Sequence, residues 1–178
     1  SIILKKPISI NYGLLIPIAA GVATAKALEN RGANPKLKWP NDIIINNKKC
    51  GGILCEAKIK NNKVSQMVVG IGLNINETNN DFPDTISKSA TSLAIETKQS
   101  NQRELICAII TTYFERLLND LPSSLPMWEN YCNHLNESIS FNQADINQKG
   151  IFKGLDNDGR AIIQIDTKEV LFNSITLE

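Results

Sequence analysis

Two short segments of the chain carry side chains that could act on a charged ligand. In the first, Asn41 and Asp42 follow Pro40, and Lys49 comes seven residues after Asp42. The residues between them are typical of a tight hairpin, which returns the chain beside itself, so we expect Lys49 to face the pocket that Asn41 and Asp42 enter. A cation beside a carboxylate and an amide suits an acidic, phosphorylated ligand that arrives with a metal ion.

The same segment continues into a glycine pair and carries further positive charge. Gly51 and Gly52 follow Lys49 closely, and Lys38 precedes the motif, where its charge makes it a further candidate binding residue. Because a glycine has no Cβ atom, its backbone can approach a ligand closely. A tight turn at 40–42 and a β-bulge at the glycine pair would also explain these residues, so pattern alone leaves both interpretations open.

The second segment, at 70–74, reads Gly-Ile-Gly-Leu-Asn and ends in Asn74. It lacks the third glycine of the dinucleotide-binding fingerprint, and no helix is predicted to follow it. We therefore exclude a Rossmann-type nucleotide site and interpret the segment as the end of a strand.

A helix and a β-meander must position these residues. An apolar stripe from Leu15 to Ala25 predicts a helix before the motif, with Pro17 in its first turn. The asparagine pairs at 46–47 and 61–62 predict turns, because asparagine tolerates positive φ. Apolar runs predict strands at 36–39, 43–45, 50–60 and 64–71.

The rest of the chain is predicted to form one long helix, two shorter helical segments and a β-rich segment. Asn101 and Glu104 resemble a capping box that opens one helix, and a shorter helix is predicted at 126–134. A short helical turn is expected at 90–95. The apolar stripe of the longer helix is predicted to contain Leu105, Ile109, Tyr113 and Leu117, and to be widened by Ile106, Ile110 and Phe114.

Short strands separated by turn residues follow residue 136, and such strands are typical of a small barrel. The predicted fold class is therefore α/β (α+β), with a mixed β-sheet and packed helices. We expect two domains, at 1–135 and 136–178.

Composition limits the function classes that remain open. Nineteen Lys and Arg against eighteen Asp and Glu leave a net charge of +1, which argues against a general nucleic-acid-binding protein. The most apolar stretch, at 12–28, contains Pro17 and Lys26, so no membrane span is predicted. The four cysteines and His134 lack the spacing of a metal site, so we expect reduced, structural cysteines and a cytoplasmic protein.

Three strings in this sequence together resemble the catalytic domain of biotin protein ligases. They are KWPNDIIINNKKCGGIL at 38–54, GIGLNIN at 70–76 and ATSL at 90–93, and they match the family in order and spacing. The alanine-rich helix and the β-rich C-terminal segment match as well, so the resemblance covers essentially all 178 residues. It implies a mixed α/β catalytic domain followed by an SH3-like domain.

The resemblance also implies a reaction in two steps. Biotin attacks the α-phosphate of ATP in the presence of Mg²⁺, which gives biotinyl-5′-adenylate and pyrophosphate. The mixed anhydride then acylates one lysine of a biotin carboxyl carrier domain. Biotin, ATP and Mg²⁺ are thus the implied ligands, and the carrier domain is the implied partner.

Residue roles follow from the matching positions. Lys49 matches the family lysine that contacts the biotin carboxylate and the α-phosphate, where its charge would stabilise the transition state. Asp42 matches the acid that orients or deprotonates the acceptor lysine. Asn41 and Asn74 match residues near the phosphate, the adenine or the metal, so Mg²⁺ is expected near them. The glycine pair matches backbone that lines the biotin site.

The sequence departs from the family in one respect. Family members carry, ahead of the first helix, a Thr-Ser-Thr-Asn-like strand and a GRGRxGR loop that hold biotin and the adenylate, and neither occurs from Ser1 onward. We therefore expect residues 1–178 alone to make the adenylate poorly. Two alternatives stay open, a lipoate or octanoyl ligase-like relative and a non-catalytic biotin-binding remnant. An edge-strand homodimer, as in some relatives, also stays open.

Overall fold

The computed structural model describes residues 1–5, 7–143 and 146–177. The first sheet contains β1 (Ile2–Leu4), β2 (Ile8–Ser9), β3 (Pro35–Lys38), β4 (Asp42–Ile45), β5 (Lys48–Lys60) and β6 (Lys63–Leu73). The second contains β7 (Ser138–Gln143), β8 (Ile146–Leu155), β9 (Ala161–Ile165), β10 (Lys168–Phe172) and β11 (Thr176–Leu177). The helices are α1 (Leu15–Asn30), α2 (Leu93–Thr97), α3 (Arg103–Leu118) and α4 (Ser124–Tyr131). The predicted mixed α/β class is confirmed.

The first sheet has the strand order β1-β6-β5-β4-β3, and β2 pairs with the far end of β6. The predicted meander from β3 to β6 is confirmed, and its two tight turns have positive φ at both asparagines, 48° and 62° at 46–47 and 50° and 57° at 61–62. β1 precedes the first helix in the chain and pairs antiparallel with β6. The site motif is therefore in the interior of the sheet.

α1 is the central helix of the fold. It contacts α3, α4 and strands of the first sheet, so nearly all of its side chains are buried, which explains its alanine-rich composition. Pro17 lies in the first turn, where a missing N–H costs no helical hydrogen bond. Gly32 follows the helix with a φ of +84°, a conformation that glycine adopts without strain.

By length and composition alone, the helical segment Ile10–Asn30 is apolar enough to cross a membrane. Pro17 lies in the first turn of α1 and does not interrupt the helix, but length and composition alone do not contradict the prediction that this stretch forms no membrane span. In this fold, 61% of the most apolar window is buried inside the protein. A helix that is apolar on all sides is what burial at the centre of a core requires.

α3 differs from its prediction in its cap, and only part of its predicted apolar stripe is buried. Its N-cap is Gln102, and the Asn101 side chain instead accepts from Arg31 and donates to the Gln99 carbonyl. Leu105 is 42% exposed. Within the wide stripe that was predicted, one side is buried, on a helix that contacts α1. The buried residues of α3 are Ile106, Ile110, Phe114 and Leu117.

The two short helices are shifted relative to their predicted ranges. α4 begins two residues before the predicted start and ends at Tyr131, with Pro126 tolerated in its first turn. α2 begins at Leu93 rather than at residue 90, because Ser92 is its N-cap and accepts a hydrogen bond from the Ile95 N–H.

The second sheet is antiparallel throughout, in the order β10-β9-β8-β7-β11. Its core includes Phe141 and Phe172, whose ring centroids are 5.3 Å apart. The domain boundary after residue 135 and the SH3-like character remain predictions. Residues 144–145 and 178 of the predicted second domain are outside the described residues.

His134 packs where the helices meet the second sheet. Its ring centroid is 4.2 Å from that of Phe152 and 6.2 Å from that of Trp128. Burial, together with the nearby charge of Lys38, lowers the pKa of His134 to about 4, so the ring is neutral at pH 7. A neutral ring fits this largely aromatic setting.

Candidate active site

The β4–β5 hairpin brings Lys49 and Asp42 together. The Lys49 Nζ lies 2.5 Å from the Asp42 Oδ1. The register places Ile44 opposite Lys49, and a bulge then shifts the pairing so that Asp42 faces Gly52. The tight turn and the bulge together put the ammonium, the carboxylate and the second glycine on one face of the sheet.

The two neighbouring glycines face different surroundings. A Cβ atom on Gly52 would lie 3.7 Å from the Asp42 Oδ1 and 3.7 Å from the Lys49 Cε, so this glycine faces the ion pair. A Cβ atom on Gly51 would lie 2.3 Å from the Gly72 carbonyl oxygen, so there the absence of a side chain is required by strand packing. Only Gly52 therefore offers bare backbone to a ligand at the ion pair.

A shallow groove of about 530 Å³ continues from Gly52 over the neighbouring strand. Gly72 pairs with Gly52, and Gly70 pairs with Leu54, so three glycines lie along the groove. With no side chains at these positions, the sheet backbone itself forms the floor. Such a floor accepts a flat group close to the backbone beside the Lys49–Asp42 pair.

The ion pair is accessible to solvent, since the side chains of Lys49 and Asp42 are 53% and 25% exposed. Ion pairs in such exposed positions contribute little to folding stability, because solvent screens them. Lys49 can therefore exchange Asp42 for the carboxylate or phosphate of a ligand at small cost. This exchange would also leave Asp42 without its cation.

The other predicted binding residues are partly engaged elsewhere. The Asn41 amide nitrogen donates to the Ile53 carbonyl at 3.0 Å, and that of Asn74 donates to the Thr91 carbonyl at 2.9 Å. These bonds therefore fix the orientation of the side-chain oxygens of both asparagines. The Lys38 Nζ donates to the carbonyl of Leu177 in the second sheet, at 3.3 Å, and not to the Lys49–Asp42 pair.

The backbone of Lys49 has a second neighbour that the sequence did not indicate. The Lys49 N–H donates to the Ser89 carbonyl at 2.7 Å, and the Thr91 N–H donates to the Lys49 carbonyl at 2.9 Å. Ala90 thereby forms a parallel bridge with Lys49. The ATSL string is part of the resemblance, but nothing in its composition indicates that it flanks this lysine.

A cation at this site would have few protein ligands. In the ranges 1–5, 7–143 and 146–177, no three His, Cys, Asp or Glu side chains lie close enough together to hold a metal ion. Mg²⁺ is commonly held by one or two protein oxygens together with substrate phosphates. Side-chain oxygens such as those of Asp42, Asn41 and Asn74 are of the type that such a site uses, and one or two of them would hold the ion together with substrate phosphates.

The thiol beside Lys49 has a structural setting. Cys50 is fully buried, and its Sγ donates to the Asn74 carbonyl oxygen. Burial, and then the charges of Glu96 and Glu77, raise its pKa to about 12. Such a thiol is inert at neutral pH, and all four cysteines of the chain are free.

Comparisons with known proteins relate the chain to one family. Residues 3–74 match the biotin/lipoate A/B protein ligase family. Over 176 residues the chain is 31% identical to the bifunctional ligase/repressor BirA of Bacillus subtilis. The alignment covers 95% of this chain and 53% of that protein. The chain is homologous to biotin protein ligases.

Two further biotin protein ligases support the same relationship. The biotin–[acetyl-CoA-carboxylase] ligase of Mycobacterium tuberculosis is 25% identical over 177 residues, which covers 89% of this chain and 60% of that protein. The biotin protein ligase of Aquifex aeolicus in complex with biotin and ATP superposes with a TM-score of 0.75 and 26% identity, covering 93% of this chain and 71% of that one. The predicted family resemblance is confirmed. The chain spans about half the length of the Bacillus relative.

Proposed function

We propose that the natural protein containing this chain is an ATP-dependent, cytoplasmic biotin protein ligase. The observation that carries the proposal is the Lys49–Asp42 ion pair, which lies over the bare backbone of Gly52 at the head of a glycine-floored groove. The homology to biotin protein ligases supports the choice of biotin over other carboxylic acids. Free cysteines are in keeping with the reducing cytoplasm.

In the proposed first step, a biotin carboxylate oxygen attacks the α-phosphorus of ATP. The bond from that phosphorus to the bridging oxygen of the β-phosphate breaks, and pyrophosphate leaves. Lys49 exchanges Asp42 for these two anions, holds them together and stabilises the charge that develops between them. Because both anionic groups bind the same ammonium, they lie within reach of each other.

In the proposed second step, the amine of an acceptor lysine attacks the carbonyl carbon of biotinyl-5′-adenylate, and AMP leaves. Asp42, no longer paired with Lys49, accepts the proton that the amine loses. The acceptor lysine belongs to a biotin carboxyl carrier domain. Its side chain must reach the open face of the sheet on which Asp42 lies.

The remaining residues of the site would bind rather than react. Gly52 and its neighbours on β6 form the floor for the biotin rings, and Gly51 keeps that floor in place by allowing close strand packing. The side-chain oxygens of Asn41 and Asn74 are candidates for contact with Mg²⁺ or the nucleotide. Mg²⁺ would neutralise phosphate charge, and Lys38 would add a more distant positive charge.

The open edge of β5 is the surface that we assign to protein partners. From Leu54 to Lys60 this strand pairs only with β6, among the residues that the structure describes. Leu54 and Ile59 on this stretch are 66% and 61% exposed. An open strand edge that carries exposed apolar side chains among the charged Glu56, Lys58 and Lys60 can pair with a strand from a second copy of the protein in a homodimer. With a net charge of +1, the chain has no general attraction for nucleic acid.

The proposal is tested with the purified natural protein, biotin, ATP and Mg²⁺. Mass spectrometry should detect biotinyl-5′-AMP, together with one pyrophosphate per adenylate. A second reaction with lipoate in place of biotin distinguishes the alternative substrate, and we expect no lipoyl adenylate. The proposal is overturned if lipoate but not biotin is adenylated, or if neither acid is adenylated.

A matched reaction uses residues 1–178 alone. We expect little adenylate from this piece, because the GRGRxGR loop of the family is not part of it. Efficient turnover by residues 1–178 would show that the site described above is sufficient without that loop.

A further inference from the structure

The backbone of Lys49 lies between two elements that are distant in sequence. On one side Ile44 of β4 is its register partner in the hairpin. On the other side lies the segment 89–91, which exchanges two backbone hydrogen bonds with Lys49. The direction of the lysine side chain therefore depends on how these two elements are held relative to each other.

The carboxylate of Glu96 connects the two elements directly. Its Oε1 accepts a hydrogen bond from the Thr91 hydroxyl at 2.5 Å, and its Oε2 accepts one from the side-chain amide of Asn46 in the β4–β5 turn. Thr91 is fully buried, so its hydroxyl depends on this acceptor. Hydrogen bonds to a charged acceptor are roughly twice as strong as neutral ones. A closed ring therefore runs from Asn46 through Lys49 and Thr91 to Glu96.

α2 fixes the direction of this carboxylate. Its N-cap, Ser92, is fully buried, accepts the Ile95 N–H and donates its hydroxyl to the Glu77 carbonyl at 2.6 Å. Glu96 lies in the first turn of the helix, where the exposed N–H groups favour a negative charge. Its charge also contributes to the raised pKa of Cys50, the neighbour of Lys49, so the carboxylate acts close to this part of β5.

We propose that Glu96 is a positioning residue for adenylate formation, a role that rests on the function proposed above. It does not touch the ligand. By joining the turn at Asn46 to the segment at Thr91, it holds the Lys49 backbone so that the ammonium lies over Gly52 beside Asp42. Without this link, the lysine would keep its charge but lose its fixed direction.

The test replaces Glu96 in the natural protein and measures kcat and KM for adenylate formation. For Glu96→Ala we expect kcat to fall by about tenfold to 100-fold, as for other small losses of alignment, with the KM for biotin within about twofold. Glu96→Gln should recover most of the loss, because its amide can accept from Asn46 and donate to the Thr91 hydroxyl. Glu115→Ala, which removes an exposed carboxylate from α3, is the matched control and should change neither constant.

A second measurement keeps this role separate from the proposed function. Hydrogen exchange at the Lys49 and Thr91 amides should be faster in Glu96→Ala than in the wild type, whether or not the protein makes biotinyl-5′-AMP. Unchanged exchange would overturn the link, and faster exchange with unchanged kcat would overturn the positioning role. If Glu96→Ala fails to fold, Thr91→Val removes the same hydrogen bond with little change in volume, and the same two outcomes apply.

Discussion

The two halves of β5 differ in how they are held. The half from Lys48 to Gly52, the held half, pairs with β4 on one side. On its other side, Gly51 and Gly52 pair with β6, and the segment 89–91 hydrogen-bonds to the Lys49 backbone. The half from Leu54 to Lys60, the open half, pairs with β6 alone, and among the described residues its other edge has no strand beside it.

The difference separates chemistry from association along one strand. A reacting group must be held within a fraction of an ångström, which requires neighbours on both sides. A surface for a protein partner instead needs unpaired backbone and exposed apolar side chains, such as Leu54 and Ile59. Changes in the held half should therefore affect the chemistry, and changes in the open half should affect association.

The largest effect is expected for Lys49→Ala in the held half. Adenylate formation should fall about 100-fold to 1,000-fold, the usual cost of removing one group that stabilises developing charge. The free energy of unfolding, measured by urea titration, should change by less than about 1 kcal/mol, because the ion pair with Asp42 is exposed. Pyrophosphate release measures the rate, and Lys60→Ala in the open half is the control. A rate near that of the wild type would remove Lys49 from the mechanism.

The next largest effect distinguishes the two glycines within the held half. Gly51→Ala should lower the free energy of unfolding by about 1–3 kcal/mol, because its Cβ would collide with the Gly72 carbonyl. Gly52→Ala should leave stability nearly unchanged but reduce biotin binding, since its Cβ would point at the ion pair. Urea titrations and biotin titrations of both variants make the comparison. Equal destabilisation by both would contradict the different packing of the two positions.

Two thiols report on the opening of each half. Burial raises the pKa of Cys50 to about 12 and that of Cys55 to about 11. Only thiolate reacts with iodoacetamide, and Cys50 is fully buried whereas Cys55 is partly exposed. At pH 8 both should react slowly, and Cys55 should be modified faster, by peptide mass mapping. If Cys50 reacts as fast as Cys55, the held half opens as readily as the other.

The smallest effect on the chemistry is expected in the open half. Ile59→Ser should leave adenylate formation within about twofold of the wild type, because Ile59 is exposed and, unlike Leu54, does not line the glycine-floored groove. Sedimentation should instead reveal weaker self-association. A large loss of adenylate formation with unchanged self-association would contradict the assignment of this edge to partners.

Local features of the fold were predictable from the sequence. The asparagine pairs at 46–47 and 61–62 form the expected turns, because positive φ is a property of the residue itself. The helix around Pro17 and the strands of the meander follow from periodicity over a few residues. The approach of Lys49 to Asp42 belongs to this group, since only one tight turn separates them.

Contacts between distant segments were not predictable in this way. The apolar stripe of α3 is wide, and which side of it is buried depends on packing against elements such as α1, some eighty residues earlier. Asn101 is drawn away from the N-cap by Arg31, which lies seventy residues before it. Lys38 is engaged by a carbonyl of the last strand. In each case the deciding partner is far away along the chain.

The sequence by itself determined which residue types meet across the hairpin and which family they resemble, because turn geometry and motif spacing are short-range properties. Only the tertiary structure decided that Gly52 and not Gly51 faces the ion pair, since this depends on a bulge in the register. It also decided that Glu96 supports Lys49 from forty-seven residues away. Burial and long-range hydrogen bonding select such partners, and both exist only once the chain is packed.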